Sequence, residues 1–301
     1  MFLSALTMFF LILESRSVME FASVGIDLCI RTVIPSLFPF FLISIYMTGN
    51  LSGGSGLFPV LFSGLLGGYP VGAQTVAESF RSGTISEDTA NRLLSFCSQA
   101  GPAFLFGMVA SQFPSPIYAL CLWCIQLLSA GSTAFLMGIP HMAAPGKAPA
   151  ASVSLPRAMQ SAIRAMSSVC GWVVVFRVWI GFLSRLPLGG IWKVLISGLL
   201  ELSNGCMCLG TVESISLRFL LAAVMLNFGG ICVLLQTASV IAPLNLRYYL
   251  LGKLLQTAFS IGYCLLFSGL WIVSVPIIVT FLLANRQKAA KNSSIPARVG
   301  V

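Results

Sequence analysis

Apolar positions along this chain fall in long continuous blocks, and the polar positions gather at a few breaks between them. Blocks such as Ile117–Ile139 and Leu265–Leu283 match the ~20 apolar residues a helix needs to cross the hydrocarbon core. In lipid the backbone must satisfy its own hydrogen bonds, which leaves helices or a closed barrel. The blocks lack the period-two alternation of barrel strands, so the pattern predicts an all-α polytopic membrane protein. The first block, Met1–Leu13, has no basic leader and no small-residue cleavage site, and reads as a retained helix. The whole pattern accommodates roughly eight crossings plus two re-entrant hairpins.

Several blocks are not clean spans. Leu57–Leu66 and Ile191–Leu202 are too short to cross as straight helices. The first runs into Gly67–Gly68–Tyr69–Pro70 and the second into Ser203–Asn204–Gly205. After each comes a stretch of mixed polarity, then an apolar segment interrupted in turn at Gly101–Pro102 or at Gly229–Gly230. A helix broken inside the bilayer frees backbone N–H and C=O groups, tolerated only in protein or around a polar cavity. Short, Gly- or Pro-broken segments in matching positions of two halves are the sequence signature of a transporter site.

The halves correspond in register. Ile30–Arg31 answers to Ile163–Arg164 at an offset of 133, and Ser63–Leu66 (Ser-Gly-Leu-Leu) answers to Ser197–Leu200 at 134. Val109–Ser111 answers to Thr237–Ser239 at 128. A further match, Gly67–Thr75 against Gly229–Thr237, has an offset of 162 and is set aside as out of register. The expected organisation is an N-terminal membrane half over 1–140, a flexible Ala/Pro/Ser/Gly linker over 141–156, a C-terminal membrane half over 157–285 and a basic tail over 286–301. The halves are expected to be related and inverted.

Composition agrees with the bilayer. Hydrophobic residues make up 57% and charged residues 8%, against the ~25% charge of a soluble domain. The net charge of +9 is carried by basic residues read as standing singly at block ends, plus Arg286, Lys288, Lys291 and Arg298 in the tail. That distribution orients membrane segments and places the C-terminus in the cytoplasm; it is not a nucleic-acid footprint. The nine cysteines give no tetrahedral ligand set and read as small buried hydrophobes, so no metal or other cofactor is expected. With eight acidic residues, one histidine (His141) and no nucleotide-binding, metalloprotease or serine-hydrolase motif, the chain does not read as an enzyme.

Candidate chemistry lies at the breaks. Glu201 stands where an apolar helix meets the second hairpin break, beside Ser203 and Asn204. A carboxylate in hydrocarbon costs roughly 2.5–3.5 kcal/mol or more, so it should face a cavity, a cation or a donor; the bland alternative is an interfacial glutamate reaching headgroups. Arg177, inside Val173–Ile180, could meet an anion, pair with Glu201, or snorkel to an interface marked by Trp172 and Trp179. Ser98, Gln99, Asn227 and Gln236 flank the later interruptions, where amides either bind a solute or tie helices together. Asp27 and Arg31 form an i,i+4 pair read as structural. Ser86 followed by Glu87 and Asp88 reads as a helix cap.

Taken in order, Ile34–Phe41 (Ile-Pro-Ser-Leu-Phe-Pro-Phe-Phe), Gly68–Ala73, Phe96–Ala103 with Phe106–Gly107, Gly198–Gly205, Phe228–Gly230 and Gln236 carry a family resemblance. From about residue 20 to about residue 270 the chain resembles the sporulation integral membrane proteins of the YlbJ type, within the wider group with nucleoside-recognition, or gate, domains. The resemblance implies a bacterial source, a cell-membrane or outer forespore-membrane location, and a fold similar to concentrative nucleoside transporters with re-entrant hairpins. It implies export of dipicolinate or a similar organic anion during sporulation. Hairpin tips would be Gly68–Ala73, with Tyr69, Pro70 and Gly72, and Glu201–Gly205; Gly101–Pro102 and Gly229–Gly230 would mark unwound helices. The partners expected are a small organic anion or nucleoside-like solute and the lipid bilayer, with self-association into a homo-oligomer left open. A nucleoside-type transporter, or a non-transporting scaffold or sensor in a sporulation complex, are the competing readings.

Overall fold

The computed structural model describes residues 2–51, 57–138 and 153–267. Most of the linker, the block Leu265–Leu283 beyond Phe267, and the basic tail lie outside the described residues. Among the described residues the regular elements are all helices: α1 (Phe2–Leu13), α2 (Ser15–Leu28), α3 (Ile34–Leu51), α4 (Leu57–Leu66), α5 (Val71–Arg81), α6 (Glu87–Leu94), α7 (Pro102–Phe104), α8 (Ile117–Met137), α9 (Leu155–Leu183), α10 (Gly190–Leu200), α11 (Leu202–Cys208), α12 (Ile215–Phe228), α13 (Gly230–Ile241) and α14 (Leu246–Phe267). A single π-helical turn, Cys29–Val33, joins α2 to α3, and Pro39 sits inside α3.

Among the described residues, five stretches are long and apolar enough to cross a membrane: Ser15–Met47, Ile117–Met137, Leu155–Leu183, Ile215–Ile241 and Leu246–Phe267. At 1.5 Å per residue, α4 with 10 residues and α10 with 11 reach roughly half of a ~30 Å hydrocarbon core. Each folds back on the helix after its break, α4 on α5 and α10 on α11. Helices α2 and α3 lie along α9, while α8, α12 and α14 pack mutually. The α10–α11 hairpin rests on α9, α12 and α13; the α4–α5 hairpin rests on α3, α6 and α13.

The hairpins close through glycine. A methyl at Gly64 would sit 1.6 Å from the Cys97 carbonyl oxygen, and one at Gly72 2.6 Å from the Gly64 Cα. In the other hairpin a methyl at Gly205 would sit 2.1 Å from the Gly198 Cα, and one at Gly198 1.7 Å from the Met225 sulfur. Gly64 and Gly198 are the glycines of the matched Ser-Gly-Leu-Leu motifs. Small residues there let two half-length helices touch backbone to backbone.

Helix α14 shows which solvent the bundle is built for. Leu250, Leu251, Leu254 and Ile261 face outward, with Leu254 52% exposed, while Tyr249, Lys253, Gln256 and Ser260 are buried. Apolar outside and polar inside reverses the arrangement of a water-soluble helix and suits a lipid surround. Lys253 corrects the expectation that basic residues stand only at block ends.

Two local expectations are met. The exposed Arg31 guanidinium pairs with Asp27 one turn away. Ser86 caps α6, its hydroxyl accepting from the Thr89 N–H at 3.2 Å, with Glu87 and Asp88 in the first turn. Removing that cap as Ser86→Ala is expected to cost about 1 kcal/mol, read as a small fall in Tm with solute flux unchanged.

Candidate functional site

Between the two hairpin tips lies a cavity of about 40 Å³, lined by Tyr69, Ala100, Gly101, Glu201, Ser203 and Gln236 among polar and backbone contributors, and by apolar side chains from α3, α7, α9 and α13. Since a water needs roughly 10–15 Å³ of such space, it has room for a few waters and not for an aromatic solute. The site is closed.

Glu201 is 2% exposed and does two jobs at its break. Its extended backbone ends α10, and its carboxylate caps α11, accepting from Ser203 N–H at 3.0 Å and Asn204 N–H at 2.7 Å. The Asn204 side-chain amide donates a third hydrogen bond, at 2.7 Å. These donors offset the carboxylate's lost hydration. They also occupy two of the four free N–H groups at the start of α11.

Arg177 does not pair with Glu201 directly. Its Nη1 donates to the Asn204 carbonyl oxygen at 3.3 Å, so the amide intervenes between guanidinium and carboxylate, and the Arg177 Nε is left without a partner.

The first interruption runs from the end of α6 to Gly101, and its freed carbonyls are met by side chains from other helices. Gln256 Nε2 donates to Ser95 O at 2.7 Å, Lys253 Nζ donates to Ser98 O, and Gln126 Nε2 donates to Ala100 O at 2.9 Å. Gln99 donates to Phe96 O at 2.9 Å and to Gln256 Oε1 at 2.8 Å. Gly252 lets α14 approach, since a methyl there would lie 2.0 Å from Ser95 O. Gly101 meets the end of α4, 3.0 Å separating its would-be methyl from Leu66 O, and Pro102 starts α7.

The second interruption mirrors this contact. Gly229 and Gly230 both have positive φ, +83° and +86°, open to glycine without strain. A methyl at Gly230 would stand 3.0 Å from Gly198 O and within 3.4 Å of Leu199 O and Leu200 O, the free carbonyls ending α10. Tyr69 crosses from the first hairpin to this break: its hydroxyl donates to Leu226 O at 2.9 Å. Asn227 Nδ2 donates to Ala223 O, and Gln236 Nε2 to the Cys232 sulfur.

The sequence candidates therefore divide by position. Tyr69, Gly101, Glu201, Ser203 and Gln236 line the cavity. Asn204 and Arg177 continue the hydrogen-bonded chain from Glu201, Ser98, Gln99 and Asn227 stand at the breaks outside the lining, and Gly72 and Gly205 are placed at the hairpin crossings. Gly68, at φ +76°, abuts Gly101, and Pro70 precedes α5. Missed from sequence were Lys253, Gln256, Gln126 and Tyr249. For three of them the sequence holds a signal: Tyr249, Lys253 and Gln256 fall on one face of an otherwise leucine-rich helix.

A polar, glycine-broken centre inside an apolar-faced bundle defines a polytopic helical integral membrane protein. The chain is similar to the sporulation integral membrane protein YlbJ of Bacillus subtilis (strain 168), 23% identical over 314 aligned residues, covering 82% of this chain and 76% of that protein. This distant similarity supports the YlbJ-type assignment to which the ordered motifs pointed. No family model matches the chain. No solved structure matches it significantly.

Proposed function

We propose that this protein is a membrane transporter of a small polar solute, which binds between the two hairpin tips. The observation that carries the reading is a set of unmet polar atoms. Gln99 Oε1 and Asn227 Oδ1, one at each break, are buried without a partner. Buried polar atoms are otherwise nearly always paired, so these call for water or a solute. The order of elements supports a duplicated architecture: short helix, break, short helix, interrupted helix and long helix recur from α4 to α8 and from α10 to α14. In each half the end of the first short helix meets a glycine of the later interruption, Leu66 at Gly101 and Leu200 at Gly230. Half-length hairpins at such breaks are read as re-entrant, in the manner of concentrative nucleoside transporters.

The solute class follows from the resemblance: an organic anion of the dipicolinate kind, exported during sporulation across the cell or outer forespore membrane, with a nucleoside as the alternative. With so small a cavity, one hairpin must move before a solute of that size can enter, as alternating access provides. The small cavity also favours a second reading, a scaffold or sensor whose break residues hold one another. Reconstitution into liposomes separates the two. Flux that saturates with dipicolinate or a related aromatic dicarboxylate is expected. Folded protein that moves neither dicarboxylates nor nucleosides would leave the scaffold reading standing.

A further inference from the structure

Lys253 sits in the middle of a membrane-spanning helix, 1% exposed, and among the described residues no carboxylate lies within ion-pairing distance of it. Its surroundings are oxygens and rings. Nζ contacts the Ser98 carbonyl oxygen, the Tyr69 hydroxyl at 3.0 Å and Gln256 Oε1 at 3.1 Å. The Tyr69 ring centroid is 4.7 Å away and that of Tyr249 5.7 Å, both within cation–π range.

The acceptors are aimed before the lysine arrives. The Tyr69 O–H is spent on Leu226 O, which turns its lone pairs toward Nζ. The Gln256 amide N–H is spent on Ser95 O, which fixes its oxygen toward Lys253 and Gln99. Ser98 O is a backbone carbonyl freed by the helix interruption. Three oxygens match the three donors of an ammonium, one more than a neutral amine possesses. Carbonyl, amide and hydroxyl oxygens without a counter-carboxylate are the surroundings of a bound monovalent cation rather than of a salt bridge.

We propose that the Lys253 ammonium fills a built cation site at the first break, taking the place of a free monovalent ion. It holds together the first hairpin through Tyr69, the interrupted helix through Ser98 and α14 through Gln256. The site exists whether or not the protein carries a solute, and its ligand class is a primary ammonium or a small monovalent metal ion.

The test is thermal unfolding of the purified full-length Lys253→Ala variant in detergent, at constant ionic strength. Methyl-, ethyl- and propylammonium, Na⁺ and K⁺ are compared with tetramethylammonium, which has the charge but no N–H donor. The variant is expected to lose Tm in tetramethylammonium and to regain most of it, saturably, in a primary alkylammonium or in Na⁺ or K⁺. Wild type should not respond to the choice of cation. Equal Tm of the variant in every salt would overturn the proposal, as would the same cation response from wild type. Lys253→Met keeps the apolar stem without the charge; wild-type Tm in that variant would also overturn it. If Lys253→Ala does not fold in tetramethylammonium, it should fold when extracted in propylammonium, and failure in every cation counts against the site.

Discussion

Glu201→Gln is expected to lower solute flux in proteoliposomes by about tenfold or more, the scale of one lost interaction of ~1.4 kcal/mol, while leaving the protein folded. Glutamine keeps the shape and one carbonyl oxygen, enough to hold part of the α11 cap. It replaces the second acceptor with a donor, which then faces the Ser203 or Asn204 N–H. Glu201→Ala should be worse in a different way. It leaves Ser203 N–H, Asn204 N–H and the Asn204 amide without their acceptor, at about 1–3 kcal/mol for each buried group left unmet. That loss should appear as a large fall in Tm and poor yield. Flux through Glu201→Gln equal to wild type, at matched amounts of folded protein, would remove Glu201 from the transport mechanism and leave it as a cap.

The other large effect belongs to a residue with no chemistry. Gly64→Ala pushes a methyl to 1.6 Å from a backbone oxygen, where the nearest relief is to move the hairpin off Cys97. The expected cost exceeds the ~1–3 kcal/mol of ordinary overpacking, because the obstacle is main chain, and folded protein should be nearly lost. Gly198→Ala meets first the flexible Met225 side chain rather than main chain, so it should be milder. Gly171→Ala is the control: the space beyond that helical glycine is open, and alanine there should be neutral or stabilising by up to ~1 kcal/mol. Tm values of the three variants, measured together, check the order. A wild-type Tm for Gly64→Ala would mean the α4–α5 crossing is not as close as described.

Gly64 and Gly198 show how far sequence carries. The repeated Ser-Gly-Leu-Leu motif marked both short helices, and the breaks after them were visible as clusters of glycine, proline and small polar residues. Helix α14 shows where the reading stopped. Lys253 stands among leucines and draws no notice in the sequence, because hydropathy counts residues along the chain and not around the helix. Only with Tyr69, Ser98 and Gln256 brought from other segments does its role appear. The Glu201 cap was hidden for a related reason: a carboxylate beside a helix break reads as a binding group until the N–H groups after it are seen to point at it. Likewise a direct Arg177–Glu201 pair, one of the roles the sequence leaves open to Arg177, is interrupted by the amide of Asn204, which charge counting does not register.

On the proposed reading, the small polar space between Tyr69 and Glu201 is a solute site that opens to both sides of the membrane. Counterflow tests it most directly. Proteoliposomes loaded with unlabelled dipicolinate are diluted into a trace of labelled dipicolinate, and label is followed inside. A carrier should draw label in transiently above its equilibrium level, and the overshoot should shrink sharply in Glu201→Gln. Label that enters folded wild-type proteoliposomes no faster than protein-free ones, with dipicolinate or with a nucleoside in its place, would contradict the claim.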